Sequence, residues 1–267
     1  MRVLLICGNH PRHIFLANIL QKHKLLQSLI IEERESFVPM LDNQYSNNIL
    51  KLHNLHFKKR EEAELEVFGN EFMSFKNTLR IKGSEINSSV CHEFVLKENP
   101  DIVITCGCGL LSKETLNVFP IQTWNIHGGL SPWFKGAITH FWPSYFLKPQ
   151  YTGVTIHYIS PKIDAGNIIH QTPAHLVEND GLHQLSARSL KLGFLSIIDL
   201  INKLKKNGEL NSIKQKTTGK LWLKKDWKPE HLLLIYDKFN DEIVNMYLSN
   251  QLNQELPNIY DNFNNTN

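Results

Sequence analysis

The sequence predicts an α/β protein with a mostly parallel sheet flanked by helices and a small C-terminal β/α appendage. Three observations carry this. A compact apolar run, Val3 to Cys7, stops at Gly8 and is followed by a helix-like pattern and a second short apolar run, Leu29-Ile30-Ile31. A β-branched segment, Ile102-Val103-Ile104-Thr105, sits between Pro100-Asp101 and Cys106-Gly107-Cys108-Gly109. A long amphipathic helix spans Gly181 to Leu204. Strand, loop, helix, strand is the opening of a parallel, Rossmann-like sheet. One domain is expected over 1–205 and the appendage over 206–267, where it is available for contacts to a ligand or a second subunit.

In chain order, the first helix reads from His13 to His23, with Ile14, Leu16, Ala17, Ile19 and Leu20 on or near one face. The preceding loop, Gly8-Asn9-His10-Pro11-Arg12, opens onto the crevice that such sheets form beyond the carboxyl ends of their strands. Helix N-terminal amides and Arg12 could hold a phosphate there; the alternative is an ordinary strand–helix turn. The loop lacks the GxGxxG pattern, so a dinucleotide is not indicated. Residues 32–78 are polar, and Lys58-Lys59-Arg60-Glu61-Glu62 reads as a solvated helix face. A strand is expected at Leu79–Ile81, a glycine turn at Lys82-Gly83-Ser84, and a helix from about Asn87 to Lys97.

After Ile102–Thr105, Gly107 and Gly109 let the backbone approach a planar ligand, with Leu110 and Leu111 as an apolar wall, although a glycine-rich turn alone does not indicate a cofactor. Ile121 to Ile126 is a strand carrying Asn125 and His127 at i and i+2, which sends both side chains to one face. The strand breaks at Gly128-Gly129. An amide donor and an imidazole at a strand end suit an oxyanion and a proton transfer, although an Asn and a His satisfying each other in a corner is the plainer reading. Ala137 to Phe146 reads as a helix interrupted or initiated near Pro143, its aromatics in the core. Thr152 to Ile159 alternates as a strand in which His157 is a packed histidine. Asp164-Ala165-Gly166 closes a loop before a strand at Ile168-Ile169; a carboxylate so placed can orient and charge-stabilise an imidazole, although taken singly Asp164 is a turn residue. Beyond the long helix, Gln215 to Lys224 reads as two short strands around a glycine turn, Pro229 to Ser249 as helical, and Asn253 to Asn267 as a frayed tail.

Composition is that of a globular protein: 267 residues, 42% hydrophobic and 21% charged, with a formal charge of +3 that argues against a nucleic-acid partner but permits an anionic small molecule. Cys7, Cys91, Cys106 and Cys108 have neither disulfide-framework nor metal-ligand spacing, so reduced thiols and no metal are expected. No apolar run suits a membrane span or signal peptide, so a cytoplasmic location without a membrane partner is expected.

Taken together, Asn125-Ile126-His127, the Leu-x-Pro-x-x-x-Gly run at Leu130, Pro132 and Gly136, Thr152-Gly153-Val154-Thr155-Ile156-His157 and Ile163-Asp164-Ala165-Gly166 resemble the folate-dependent formyltransferases in order and spacing. Weaker likeness extends over about residues 1 to 205. The Gly-Gly-Leu-Ser-Pro form at Gly128–Pro132, Gly8-Asn9-His10-Pro11-Arg12-His13, Lys82–Asn87 and the short tail with Gly219-Lys220 and Trp222 are most similar to the nucleotide-sugar N-formyltransferases. That tail leaves little room for the longer C-terminal barrel usual in methionyl-tRNA formyltransferases. The resemblance implies 10-formyltetrahydrofolate as co-substrate and catalytic roles for Asn125, His127 and Asp164. It implies a folate site at Gly109, Leu110, Leu111, Ser112 and Ile163. Asn9, Arg12 and Lys82 would meet the acceptor's phosphates, with Trp222 available to stack on a base. The acceptor implied is a dTDP- or UDP-linked aminosugar used for surface polysaccharide such as O-antigen, and the assembly a homodimer. Gly8-Asn9 also resembles the phosphate loop of glycinamide ribonucleotide transformylase, which keeps a ribonucleotide acceptor open. Two rivals remain: a formyltetrahydrofolate hydrolase, in which water replaces the amine and which usually carries a regulatory domain not expected here, and a non-catalytic nucleotide-binding module.

Overall fold

The computed structural model describes residues 1–33, 38, 41, 44–71, 73–216 and 219–264. Its centre is a seven-stranded sheet in the order β3-β2-β1-β4-β5-β7-β8. The strands are β1 (Val3–Gly8), β2 (Leu26–Glu33), β3 (Thr78–Lys82), β4 (Ile102–Cys106), β5 (Thr123–His127), β7 (Gly153–Tyr158) and β8 (Ile168–Pro173). The first five pair in parallel, and β7 and β8 turn antiparallel. This confirms the α/β, Rossmann-like architecture. Alternation along the inner strands feeds two layers. Val3, Leu5 and Cys7 pack with α1 (Pro11–Lys22) and α6 (Leu182–Asn207), whereas Leu4, Ile6 and Val103 pack with α3 (Ser89–Glu98). Strand order reverses between β1 and β4, so the loops after Gly8 and Cys106 diverge and open a crevice.

The helices start where local chemistry allows. Pro11 opens α1, its missing N–H costing nothing in the first turn. Ser46 caps α2 (Asn47–Phe68) by accepting the Ile49 N–H at 3.3 Å. α2 fills much of the polar 32–78 stretch, and its charged run is only partly a solvated face. Lys58 and Glu62 are exposed, but Lys59 Nζ lies 2.8 Å from Asp241 Oδ2 and Arg60 Nε donates to Glu64 at 3.0 Å. Among the described residues no helix is long and apolar enough to cross a membrane.

The boundary expected at 205/206 falls inside α6, and the chain beyond it is woven into what precedes. Ile213 bridges Ile168, and β9 (Lys220–Trp222) pairs in parallel with β6 (Phe134–Gly136) rather than with a strand of its own segment. Positions 217 and 218 of the expected strand pair lie outside the described residues. Trp227, Leu232, Ile235 and Ile243 share one apolar cluster with Phe134, Phe141 and Trp142. Pro143 starts only a short helix, α5 (Trp142–Tyr145). The helix expected over Pro229–Ser249 is instead a π-helical turn, Leu233–Lys238, and α7 (Ile243–Leu248), separated by Asn240 and Asp241 with φ of 50° and 60°. That break lets Asp241 Oδ1 accept the Leu182 N–H at 2.9 Å, capping α6 from a distant part of the chain. The tail does not fray as far as it is described: Asn262 is buried and donates to the Ile169 and Asn211 carbonyls at 2.8 and 2.7 Å.

Candidate active site

Register builds the first part of the site. Thr105 of β4, Asn125 of β5 and His157 of β7 are direct cross-strand partners, so three polar side chains line up across apolar strands. Thr105 Oγ1 donates to Asn125 Oδ1 at 2.8 Å, and Asn125 Nδ2 donates to His157 Nε2 at 3.1 Å. His157 Nδ1 donates to the Tyr158 carbonyl at 2.8 Å, which leaves Nε2 as the acceptor in the neutral ring. His157 is buried but is not merely packed.

Asp164 reaches this row from the β7–β8 loop. Its φ of 46° is an uncommon left-handed conformation that Asp tolerates better than most residues. Gln215 Nε2 holds the loop by donating to the Asp164 and Gly166 carbonyls at 2.8 and 2.7 Å. Gly166 explains the spacing of Asp164-Ala165-Gly166, since a Cβ there would collide with the Tyr158 backbone oxygen. Gly166→Ala is therefore expected to destabilise the protein by roughly 1–3 kcal/mol and to loosen Asp164, seen as a lower Tm together with lost turnover.

The carboxylate gathers the rest. Asp164 Oδ2 accepts the Gly136 N–H at 2.9 Å and lies 3.3 Å from His127 Nδ1, while Oδ1 accepts Asn125 Nδ2 at 3.3 Å and lies 3.5 Å from His157 Nε2. Burial opposes ionisation of Asp164, but the neighbouring His127 and His157 and the Gly136 amide outweigh it and hold the carboxyl well below the usual range. His127 Nε2 sits 2.8 Å from the Phe134 carbonyl. Its two ring nitrogens thus have different neighbours, a backbone carbonyl at Nε2 and the Asp164 carboxylate at Nδ1.

These groups line a cavity of about 1350 Å³, above the range for a single small ligand, with Asn125 and His127 in its wall. One arm is walled by Gly109, Leu110, Leu111 and Ile163, and Glu32 Oε2 fixes it by accepting the Gly109 N–H at 2.6 Å. Ser112 is not part of that wall: its hydroxyl accepts the Thr115 N–H at 3.2 Å and caps α4 (Lys113–Asn117). The other arm is lined by α2 and α6 residues, including His56, Arg60, Glu64 and His183. Nothing in the sequence signalled this arm, because α2 meets the site only through packing.

The acceptor contacts expected from the sequence fare unevenly. Arg12 lines the cavity but is ion-paired with Glu64, which Arg60 also holds. Burial opposes ionisation of Glu64, yet the two guanidiniums keep its carboxyl below its ordinary value. Asn9 and Lys82 are exposed and outside the cavity wall; Lys82 ends β3, at the edge of the sheet. Trp222 borders the cavity, but its ring stacks on Trp142 with centroids 4.1 Å apart and has Lys220 Nζ 4.0 Å from its centroid, so its ring is already engaged by neighbours. Among the described residues no group of three or more His, Cys, Asp or Glu could hold a metal ion.

Three cavity histidines are held neutral. Burial lowers His56 to about 3 and His140 to about 4, and pushes His183 well below its ordinary value. His140 is fully satisfied uncharged, with Nε2 donating to Gly153 O at 2.8 Å and Nδ1 beside Ser186 Oγ at 2.7 Å. The unfolded histidines titrate near 6.5, so below that pH the unfolded chain binds more protons and stability falls. Tm should drop as pH is lowered from about 7 to 5, and more steeply in the wild type than in His56→Gln. Parallel Tm–pH curves for the two proteins would show that His56 takes up its proton in the fold as readily as in the unfolded chain.

The Rossmann-like sheet is shared with solved formyltransferase structures. The likeness extends to PseJ of Anoxybacillus kamchatkensis, solved with UDP-4,6-dideoxy-4-formamido-L-AltNAc and tetrahydrofolate: TM-score 0.52, 21% identity, 90% of this chain and 95% of that one. It extends also to phosphoribosylglycinamide formyltransferase of Anaplasma phagocytophilum, with TM-score 0.55 and 18% identity over 84% of this chain and 98% of that one. At those identities the shared feature is the fold. Residues 45–201 match the formyl transferase family, and the chain belongs to it. Among curated relatives, methionyl-tRNA formyltransferase of Buchnera aphidicola subsp. Acyrthosiphon pisum is 28% identical over 194 residues, 68% of this chain. The match spans 62% of that relative's length.

Proposed function

We propose that this chain transfers a formyl group from 10-formyltetrahydrofolate to the primary amine of a nucleotide-linked aminosugar, with a dTDP-amino-dideoxysugar favoured. The observation that carries the reading is the convergence of Asn125, His127 and Asp164 in one wall of a cavity large enough for two ligands. The apolar arm at Leu110, Leu111 and Ile163 suits a planar pterin beside exposed backbone. The folate supplies the formyl carbon. Asn125 Nδ2 donates to the developing oxyanion, exchanging its long 3.3 Å contact with Asp164 for a charged acceptor. Since the Phe134 carbonyl claims His127 Nε2, Nδ1 is the atom that takes the amine proton, and Asp164 stabilises the resulting charge.

Support for a sugar acceptor comes from the Gly128–Pro132 sequence and from structural neighbours such as PseJ, and WlaRD, a sugar 3N-formyltransferase solved with dTDP and 5-N-formyl-THF. Arg12 and Arg60 share one carboxylate, leaving an excess positive charge on the second arm that an anionic acceptor would meet. The test is a panel of dTDP- and UDP-linked aminosugars with 10-formyltetrahydrofolate, read by mass gain on the sugar. Glycinamide ribonucleotide and methionyl-tRNA run alongside, and a reaction without amine detects hydrolysis. Formylation of either alternative in preference to every sugar overturns the acceptor assignment. Folate release without amine favours the hydrolase, and absence of transfer to any amine favours a binding module.

A further inference from the structure

An oxyanion donor works only if its N–H side, not its C=O side, faces the reacting carbon. A side-chain amide does not guarantee this, because its two ends are nearly the same shape and a half-turn about the last bond exchanges them. The Asn125 amide is held by three neighbours from three different segments. His157 Nε2 and Asp164 Oδ1 both accept from Nδ2, at 3.1 and 3.3 Å, and Thr105 Oγ1 donates to Oδ1 at 2.8 Å. The shortest of the three contacts is the one to Thr105.

The contacts differ in what happens to them during the reaction. When Nδ2 turns toward an oxyanion, the contacts to Asp164 and His157 stretch or exchange, so neither can hold the amide through the step. Oδ1 lies on the opposite side and its bond persists. Thr105 is suited to this task by its own fixation: it is fully buried and is the direct cross-strand partner of Asn125, and its single proton has the shorter contact to Oδ1, the Trp124 carbonyl lying 3.3 Å away. A β-branched side chain on a central strand has little rotational freedom to lose.

We propose that Thr105 is a positioning residue for formyl transfer: its hydroxyl fixes the Asn125 amide with the N–H side toward the reacting carbon. This rests on the donor role proposed above for Asn125. Without the hydroxyl, Oδ1 loses that donor, and the amide samples rotations in which its N–H bonds miss the oxyanion.

Thr105→Val removes the hydroxyl at nearly constant volume, Thr105→Ala removes it without adding bulk, and Thr105→Ser keeps it. In steady-state formyl transfer, Val and Ala are each expected to lower kcat about tenfold while KM for folate and acceptor changes less than about twofold. Ser should recover kcat to within about twofold of wild type. A merely structural role would move Tm and leave kcat per folded enzyme unchanged. A second readout does not depend on activity. The Asn125 side-chain amide, assigned in nitrogen-15 spectra by its disappearance in Asn125→Ala, should exchange its protons with solvent faster in Thr105→Val and Thr105→Ala than in wild type or Thr105→Ser. Faster exchange in a protein that formylates no amine sustains the orienting role and overturns only the reading of function. Unchanged exchange, or an active enzyme whose kcat is indifferent to loss of the hydroxyl, overturns the proposal.

Discussion

In His127→Ala, kcat for formyl transfer is expected to fall by about 10²–10⁴-fold with KM for the acceptor little changed, the range typical for loss of a positioned acid–base group. The geometry says why the loss should appear in turnover. Nε2 is committed to the Phe134 carbonyl at 2.8 Å, so Nδ1, 3.3 Å from Asp164 Oδ2, is the nitrogen able to exchange a proton with a ligand. Alanine removes that exchange and leaves the Asp164 carboxylate buried without its closest imidazole. His127→Asn, which can donate but cannot cycle a proton, should recover little. Single-turnover rates at saturating folate and acceptor, with Tm measured on the same samples, separate lost chemistry from lost folding. A variant that keeps a tenth or more of the wild-type rate while folded places the proton path elsewhere.

The local pattern revealed some of these residues and not others. Asn125 and His127 are two apart in one strand, so their common face follows from the pleat alone. Asp164 taken singly reads as a turn residue and is picked out by the family resemblance; the close approach of Gly166 to Tyr158 then explains its spacing. His157 and Thr105 were not, because their roles depend on which residues of β4, β5 and β7 stand opposite one another, and register is decided by the assembled sheet. Thr105 closed a β-branched run and read as filler; His157 ended an alternating strand and read as packing. The larger omission was α2. Its Lys58–Glu62 run has the composition of a solvated face, yet Lys59 finds Asp241 and Arg60 shares Glu64 with Arg12, partners far apart in the chain. The same long-range pairing explains why Arg12 is not the unencumbered phosphate ligand its loop suggested, and why the Trp222 ring is already engaged by Trp142. Strand and helix identity survive from sequence where the pattern is strong and local, as in β1, α1 and β4, but not over Pro229–Ser249, which the Asn240–Asp241 break divides. The occupancy of a side chain by a distant partner is not a local property.

Asn125→Ala should lose at least about a hundredfold in turnover with acceptor binding largely intact, as expected when one oxyanion donor worth about 2.7–4 kcal/mol is removed. The resting structure complicates the simple version of that argument, since both Asn125 N–H bonds are in use, to His157 at 3.1 Å and Asp164 at 3.3 Å. An oxyanion must therefore outcompete an existing partner. The Asp164 contact is the weaker by length, and it joins an amide to a carboxylate already served by Gly136 and flanked by two imidazoles. Giving up that contact costs Asp164 little, whereas the oxyanion has no comparable donor from the row. The exchange therefore favours the reacting state over the resting one, which is the condition for a contact to raise kcat rather than to tighten binding. Asn125→Asp sharpens the test. It keeps size and Thr105's acceptor but replaces the donor with a second carboxylate facing Asp164, so it should be at least as impaired as alanine. Turnover near wild type in either variant would mean that the oxyanion is held by some other group.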